Sequence, residues 1–304
     1  MAKKVVARKI IADYECPAAI MVPHYHCDLT PLLEDIASNA SHSIGVILLT
    51  SDKSFTESFV ATQKFLDRFS IVTAPLDSPW IRDRSPIAIR QGKIIRWCIP
   101  RWDYVDRPND TILFERICAS AHPITPIDYM PQGNLVVAKN GLVFTTEDIL
   151  KKNSLTKKKL LEHNSLLGIK QWIIFKGFKQ EPTGHADIHV RVLKPKLFAV
   201  AWNLSSKQDR QRTETLITMI STIEPKAEVI KIPIRSKGKH YASLVNWIQI
   251  GRQLLIPRFN LTRAEDITQT RNLLAAHGFK SNFIYSPTLD VQGSLHCLTG
   301  SIFI

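Results

Sequence analysis

Leu135-Val136-Val137-Ala138-Lys139-Asn140-Gly141-Leu142-Val143-Phe144-Thr145 places two short apolar runs on either side of an Asn-Gly step. Asn and Gly tolerate the positive φ that a tight turn between antiparallel strands demands, so the stretch predicts a hairpin. Outward from it, strand-sized runs recur on both sides: Ala19 to Val22, Ile44 to Thr50, Ile71 to Ala74, Ile87 to Ile89 and Lys93 to Ile99 before, then Trp172 to Phe175, Leu197 to Ala201, Val229 to Ile232, Trp247 to Ile250 and Gln253 to Ile256. Between them, apolar residues at helical spacing predict helices over Leu29 to Ala40, Phe55 to Phe69, Asp110 to Ala121, Leu155 to Leu167, Arg210 to Ile223 and Ala264 to Gly278. Thr30 before Pro31 reads as an N-cap, Thr262-Arg263-Ala264-Glu265 as a capping box, and Gly278 as a C-cap.

The alternation is α/β throughout. Several helices are followed by two or three strands, which predicts a repeated strand-and-helix unit around a centre, with no visible sequence repeat and no parallel-sheet crossover signature. No GxGxxG or GxxxxGK[ST] follows the first strands, so a nucleotide phosphate cradle is not expected. No Ser/Gly-rich linker divides the 304 residues, and one domain over 1–304 is expected. With 44% hydrophobic and 22% charged residues the composition is that of a globular protein. The opening segment carries Lys3, Lys4, Arg8 and Lys9 and lacks the apolar core of a secretory signal, and no apolar run is long enough to cross a membrane. Five unpaired-looking cysteines (Cys16, Cys27, Cys98, Cys118, Cys297) fit a cytoplasmic compartment. The formal charge of +13 is concentrated partly in Lys151, Lys152, Lys157, Lys158 and Lys159, with Lys170, Lys176 and Lys179 downstream. A solvated basic face accounts for it, with nucleic-acid binding as the alternative.

Three segments could carry chemistry. In Gly184-His185-Ala186-Asp187, residues two apart at a strand end would share a face, which suits a proton-transfer base beside a cation-binding carboxylate; a surface turn is the plainer account. Cys297, in Leu295-His296-Cys297-Leu298-Thr299, is a candidate thiolate that needs an electropositive, partly exposed setting. On an extended chain His296 faces away from it, so the base must come from elsewhere, with His185 the candidate. Pro79-Trp80-Ile81-Arg82-Asp83-Arg84-Ser85-Pro86 reads either as an extended strip or as an ion-paired turn.

In order, Trp80-x-Arg82-Asp83 with Pro86, Gly133-Asn134, Gly184-His185-x-Asp187 and Leu295-His296-Cys297-x-Thr299 resemble the agmatine deiminase and Porphyromonas-type peptidylarginine deiminase family, and Met21-Val22-Pro23-His24 resembles its opening strand. The resemblance implies a single-domain α/β propeller of five pseudo-repeats. It also implies Cys297 as nucleophile, His185 as acid and base, Asp83 and Asp187 gripping a guanidinium, and Trp80 packed on its face, with Arg82, Gly133 and Asn134 completing the substrate-binding set. No metal or cofactor is implied. The implied partner is a small guanidino substrate, agmatine first, with peptidylarginine or C-terminal arginine as the alternative; a homo-oligomer is compatible. Three departures stand out. Gln132 replaces the usual Glu and so removes a carboxylate, the approach Gln292-Gly293-Ser294 is thin in glycine, and Arg191 adds positive charge. A substrate carboxylate could pair with Arg96, Arg101 or Arg107, and a catalytically impaired relative that binds nucleic acid is the reading from another class.

Overall fold

A computed structural model of the chain describes residues 7–99, 106–117, 130–152, 154, 156–162, 164–288 and 293–304. Lys3, Lys4, Arg101, Cys118, Ala121, Leu155 and Gln292, named above, lie outside them.

Asn140 and Gly141 adopt φ of 63° and 75°, and Ala138 N donates to Leu142 O at 2.7 Å, which closes the expected hairpin between β7 (Val136–Val137) and β8 (Leu142–Thr146). β7 is shorter than expected because Leu135 already caps a 3-10 turn, Gln132–Asn134. The chain then runs through short helices α4 (Asp148–Lys152), α5 (Lys157–Glu162) and α6 (Asn164–Leu167) to β9 (Gln171–Phe175), parallel to β8.

The same sequence of events follows twice more. β10 (Val190–Lys194) and β11 (Leu197–Asn203) are antiparallel; α7 (Lys207–Ile223) leads to β12 (Glu228–Lys237), parallel to β11, with β13 (His240–Ala242) added at the edge. β14 (Ile248–Ile250) and β15 (Gln253–Arg258) are antiparallel, and α8 (Ala264–Ala276) leads to β16 (Lys280–Tyr285), parallel to β15. At the other end of the chain β2 (Ala19–Pro23), α1 (Thr30–Ser41), β3 (Gly45–Thr50), α2 (Lys53–Ala61) and β4 (Phe69–Thr73) form a sheet whose first position is taken by the C-terminal strand β17 (Gly300–Ile302). β1 (Arg8–Ile10) joins β5 (Ile87–Gln91) and β6 (Ile94–Cys98), and α3 (Pro108–Ile117) follows.

Among the described residues four of the five small sheets thus carry helices between parallel neighbours, while the β1-β5-β6 sheet is antiparallel throughout; this corrects the expectation of no parallel crossover. Local sequence patterning marks each strand but says nothing about which strand it will pair with. The helices are held by buried stripes. α1 buries Leu32, Leu33, Ile36, Ala37 and Ala40, and α7 buries Asp209, Thr213, Leu216 and Ile220, each large apolar side chain contributing about 1.5–3 kcal/mol.

Several boundaries differ from expectation. The helix expected over Phe55 to Phe69 stops at Ala61, where Thr62 Oγ1 donates to Phe59 O at 2.7 Å, and Phe69 continues the apolar period as the first residue of β4. Thr30 is not an N-cap: Leu29 is, and the Thr30 hydroxyl bonds the carbonyls of Tyr25 and Cys27 instead. The box at α8 is centred one residue later, with Asp266 accepting from Arg263 N at 3.0 Å. Gly278, at φ 82°, follows the C-cap His277 as expected. Among the described residues no helix is long and apolar enough to cross a membrane.

Candidate active site

Three 3-10 turns meet the segment that carries Cys297. The first, Ile81–Arg84, settles the Trp80 segment as a turn, and Arg82 N donates to Cys297 O at 3.2 Å. The Arg82 side chain, almost fully buried, donates from Nε to His296 O at 3.0 Å, from Nη1 to Gln132 Oε1 at 2.7 Å and from Nη2 to Thr299 Oγ1 at 3.5 Å. Its guanidinium therefore ties the cysteine loop to the turn at Gln132. Burial, with Arg191 nearby, brings its pKa down to about 10.

The second turn, Gln132–Asn134, holds Gln132, which the resemblance above sets against a Glu. Gln132 accepts from Arg82 and donates from Nε2 to Pro86 O at 3.2 Å, so the amide keeps the acceptor toward Arg82 and exchanges the charge for a donor that an ionised carboxylate lacks. Gly133 is bare for steric reasons: a Cβ there would lie 2.7 Å from His185 Nδ1 and 3.3 Å from Asp187 Oδ2. Asn134 Oδ1 accepts from Thr146 N at 3.0 Å and Thr146 Oγ1 at 3.2 Å, tying the turn to β8.

The third turn, Ala186–Ile188, follows His185 and contains Asp187. The pair does not stand at a strand end, as the spacing suggested; β10 begins only at Val190. Both side chains nonetheless reach the Gly133 surface. Glu181 fixes the approach by accepting from Thr183 N and Gly184 N at 2.9 and 2.8 Å, and Thr183 Oγ1 accepts from His185 N at 3.2 Å. His185 Nδ1 lies 3.7 Å from Asp83 Oδ1.

Cys297 lies in a turn, not on an extended chain, with Leu298 N donating to Ser294 O at 3.1 Å. Its Sγ is 3.5 Å from Asn246 Oδ1 and 3.9 Å from Asp187 Oδ2, and it is buried. The electropositive, exposed setting expected for a reactive thiol is therefore absent. Burial first, then the Asp187 and Asp83 carboxylates, hold its pKa well above the ordinary thiol value. Asp187 is itself pushed up to about 6 by burial, against the pull of His185, Arg191 and Arg82. Its Oδ2 meets His296 Nδ1 at 2.7 Å, while Oδ1 is buried without a hydrogen-bond partner.

The Trp80 ring lies directly over Gly293, so closely that a Cβ there would overlap it. Arg107, offered above for a substrate carboxylate, donates instead to Ser78 Oγ at 3.0 Å. Sequence reasoning gave no site role to two residues here, Asn246 and His296, the second being set aside as a base. Neither has a local signal, since a buried Asn and a His beside a Cys are ordinary until the fold brings Asp187 to them.

Four motifs far apart in sequence thus converge on one thiol. The sequence model of the Porphyromonas-type peptidyl-arginine deiminases matches residues 17–302, and the chain belongs to that family. No curated protein matches it. Among solved structures, the substrate-bound agmatine deiminase variant of C. jejuni is 18% identical, with 98% of this chain and 96% of that one covered at a TM-score of 0.81. A candidate arginine deiminase from Porphyromonas gingivalis is 14% identical, covering 97% and 98% at 0.83. The agmatine deiminase of Enterococcus faecalis is 13% identical, covering 99% and 98% at 0.80. At such identities the likeness shows a shared α/β fold.

Proposed function

We propose that the protein is a deiminase that hydrolyses the guanidinium of agmatine to N-carbamoylputrescine and ammonia through a covalent thiouronium on Cys297. The observation that carries this reading is the convergence of Cys297, Asp83, His185 and Asp187 against Gly133, with Asp187 Oδ1 left unpartnered. A buried carboxylate oxygen without a donor invites a cationic N–H group. A guanidinium between Asp83 and Asp187 would offset the two charges that add to burial in keeping Cys297 protonated, which favours the thiolate in the complex. His185 takes the thiol proton and passes it to the leaving amine as the guanidinium carbon bonds to sulfur and ammonia departs. It then removes a proton from water, the carbon–sulfur bond breaks, and the ureido product leaves with the thiol restored.

The same reading arranges the five sheets as blades of a five-fold pseudosymmetric propeller, one domain over 1–304, and makes the enzyme cytoplasmic. The repeated hairpin and crossover, and the closure of β17 onto β2, support the arrangement. A carboxylate-bearing substrate, free or C-terminal arginine, is the second reading. Lys239 lines a cavity with Glu181, Tyr241, Asn246 and Ser294 beside the thiol's neighbours, and its ammonium could pair with an acidic tail as Glu181 could with an amine. Ammonia release from agmatine, arginine and an arginine-terminated peptide, with Cys297→Ala as control, tests both. Turnover of one substrate, lost in the variant, is expected; silence of folded protein with all three refutes the deiminase reading.

A further inference from the structure

Arg191 stands four residues beyond Asp187, in β10, and is among the largest fully buried side chains. A guanidinium in the interior must direct its N–H groups to protein acceptors. Its Nη1 lies 2.7 Å from His296 Nε2 and 3.5 Å from Asp13 Oδ2. Arginine accepts no hydrogen bond, so His296 Nε2 must present its lone pair, and the proton of the neutral ring then sits on Nδ1. That Nδ1 is the atom 2.7 Å from Asp187 Oδ2. Both bonds therefore have one direction: Arg191 donates to His296, and His296 donates to Asp187.

We propose that Arg191 and His296 are positioning residues: His296, aligned by Arg191, binds one oxygen of Asp187, the pair helps keep that carboxylate ionised, and Oδ1 is left as the free acceptor of the site. The competing role for His296, a second acid or base beside Cys297, fails on geometry because both ring nitrogens are occupied. Protonating Nε2 would also aim an N–H at the Arg191 cation. Burial, Arg191 and Arg82 all hold the ring's pKa well below its ordinary value, which agrees. The support continues behind the ring. Arg82 Nε donates to His296 O, and Asp13, which faces Arg191, accepts from Val137 N at 3.0 Å. Asp13, Arg82, Gln132, Arg191, Gln249 and His296 line one cavity on that side.

The charged and titratable groups that face Asp187 are His185, Arg191, Arg82 and Asp83, with His296 and Cys297 in contact. Loss of the Arg191 charge or of the His296 donor leaves burial less opposed, so the carboxylate takes up its proton at higher pH. The acid limb of any process that needs ionised Asp187 then moves upward.

Nitrogen-15 NMR of His296 in the resting, full-length protein reads the tautomer without a substrate. The expected result is a neutral ring protonated on Nδ1 from about pH 5 to 8, becoming a tautomer mixture in Arg191→Met. A charged ring or an Nε2–H tautomer in the unaltered protein overturns the proposal. The second readout rests on the deiminase reading: protection of Cys297 from alkylation by guanidinium, followed against pH. His296→Ala and Arg191→Met should weaken protection about tenfold at the acid end, a shift of about one pH unit, and His296→Asn, which keeps an N–H toward Asp187, should restore it. Folded Ala and Met variants with an unmoved acid limb would make the two residues merely structural. Guanidinium that fails to protect even the unaltered protein sinks the deiminase reading, while the tautomer still decides the relay.

Discussion

Asp187→Asn should make the protein more stable and inactive, and the gain should depend on pH. Burial raises the Asp187 carboxyl from 3.8 to about 6. A folded-state pKa above the unfolded one means that the native protein holds the proton more tightly, so this group's stabilisation is present below the unfolded pKa and is lost as pH rises through the folded one. A shift of roughly two units corresponds to about 3 kcal/mol, an order-of-magnitude figure, given up between about pH 4 and pH 6 and fully absent by about pH 8. Asparagine carries no charge and keeps an oxygen for His296 Nδ1–H, so it escapes this penalty, though its amide nitrogen in place of Oδ1 returns about 1–3 kcal/mol as an unsatisfied donor.

The decisive quantity is therefore the difference between the two proteins as a function of pH, in which the titrations they share largely cancel. Urea unfolding at several pH values measures it, together with ammonia release. The variant's advantage should grow by about 2–3 kcal/mol from about pH 4 to pH 8. A difference that stays flat across that range, in two proteins that both unfold cooperatively, would show that Asp187 is solvated or paired in a way these distances do not contain.

Gly133→Ala should shift His185, because a Cβ 2.7 Å from Nδ1 needs several tenths of an ångström more room; overpacking of about 1–3 kcal/mol, if it falls on the transition state, predicts a roughly 5- to 150-fold loss in kcat/KM. Gly238→Ala, at φ 59° with nothing within 4 Å, is the control, expected to lower thermal stability slightly and leave turnover alone. Cys297 in the resting protein should react slowly with iodoacetamide at neutral pH and faster as pH rises, since burial and two carboxylates hold the thiol protonated; rapid alkylation near neutrality would contradict that environment.

The strands were legible as strands because β-branched runs bounded by Gly, Pro and Asp announce themselves locally, and the Asn140-Gly141 turn carried its own backbone requirement. Their partners were not legible. Nothing in Gly300-Ser301-Ile302 says that it will pair with Ala19–Pro23, since that contact spans the whole chain. The helix overrun to Phe69 has the same origin: apolar spacing continued, while the helix ends at Ala61 with Thr62 as its C-cap. In the site, motif order located Cys297, Asp83, His185 and Asp187, but roles depended on orientation. Arg82 sits inside a recognised motif, and only its three acceptors separate a clamp from a ligand-binding group. The extended-chain premise used for His296 does not hold, because the segment is a turn and the ring is held by Asp187 and Arg191.

Charge around the thiol gives the replacement at Gln132 a meaning that its neighbours alone do not. Counting only the guanidinium and carboxylate groups, the cluster holds two cations, Arg82 and Arg191, and three carboxylates, Asp13, Asp83 and Asp187, a formal excess of one negative charge when all three are ionised. One delocalised cation would balance it. A glutamate at position 132 would have faced the Arg82 guanidinium at the 2.7 Å now bridged by an amide, taking that cation for itself and adding a second negative charge to the cluster. The amide leaves Arg82 electrostatically available to Asp13 and Asp187, both of which act on it. Opposing effects meet here: the more Arg82 serves Asp187, the more firmly that carboxylate stays ionised for a substrate, and the weaker the net field that draws the substrate in. The basic exterior does little to change this balance, because exposed lysines beyond about 8 Å are screened at physiological salt, whereas groups buried within one cluster are not.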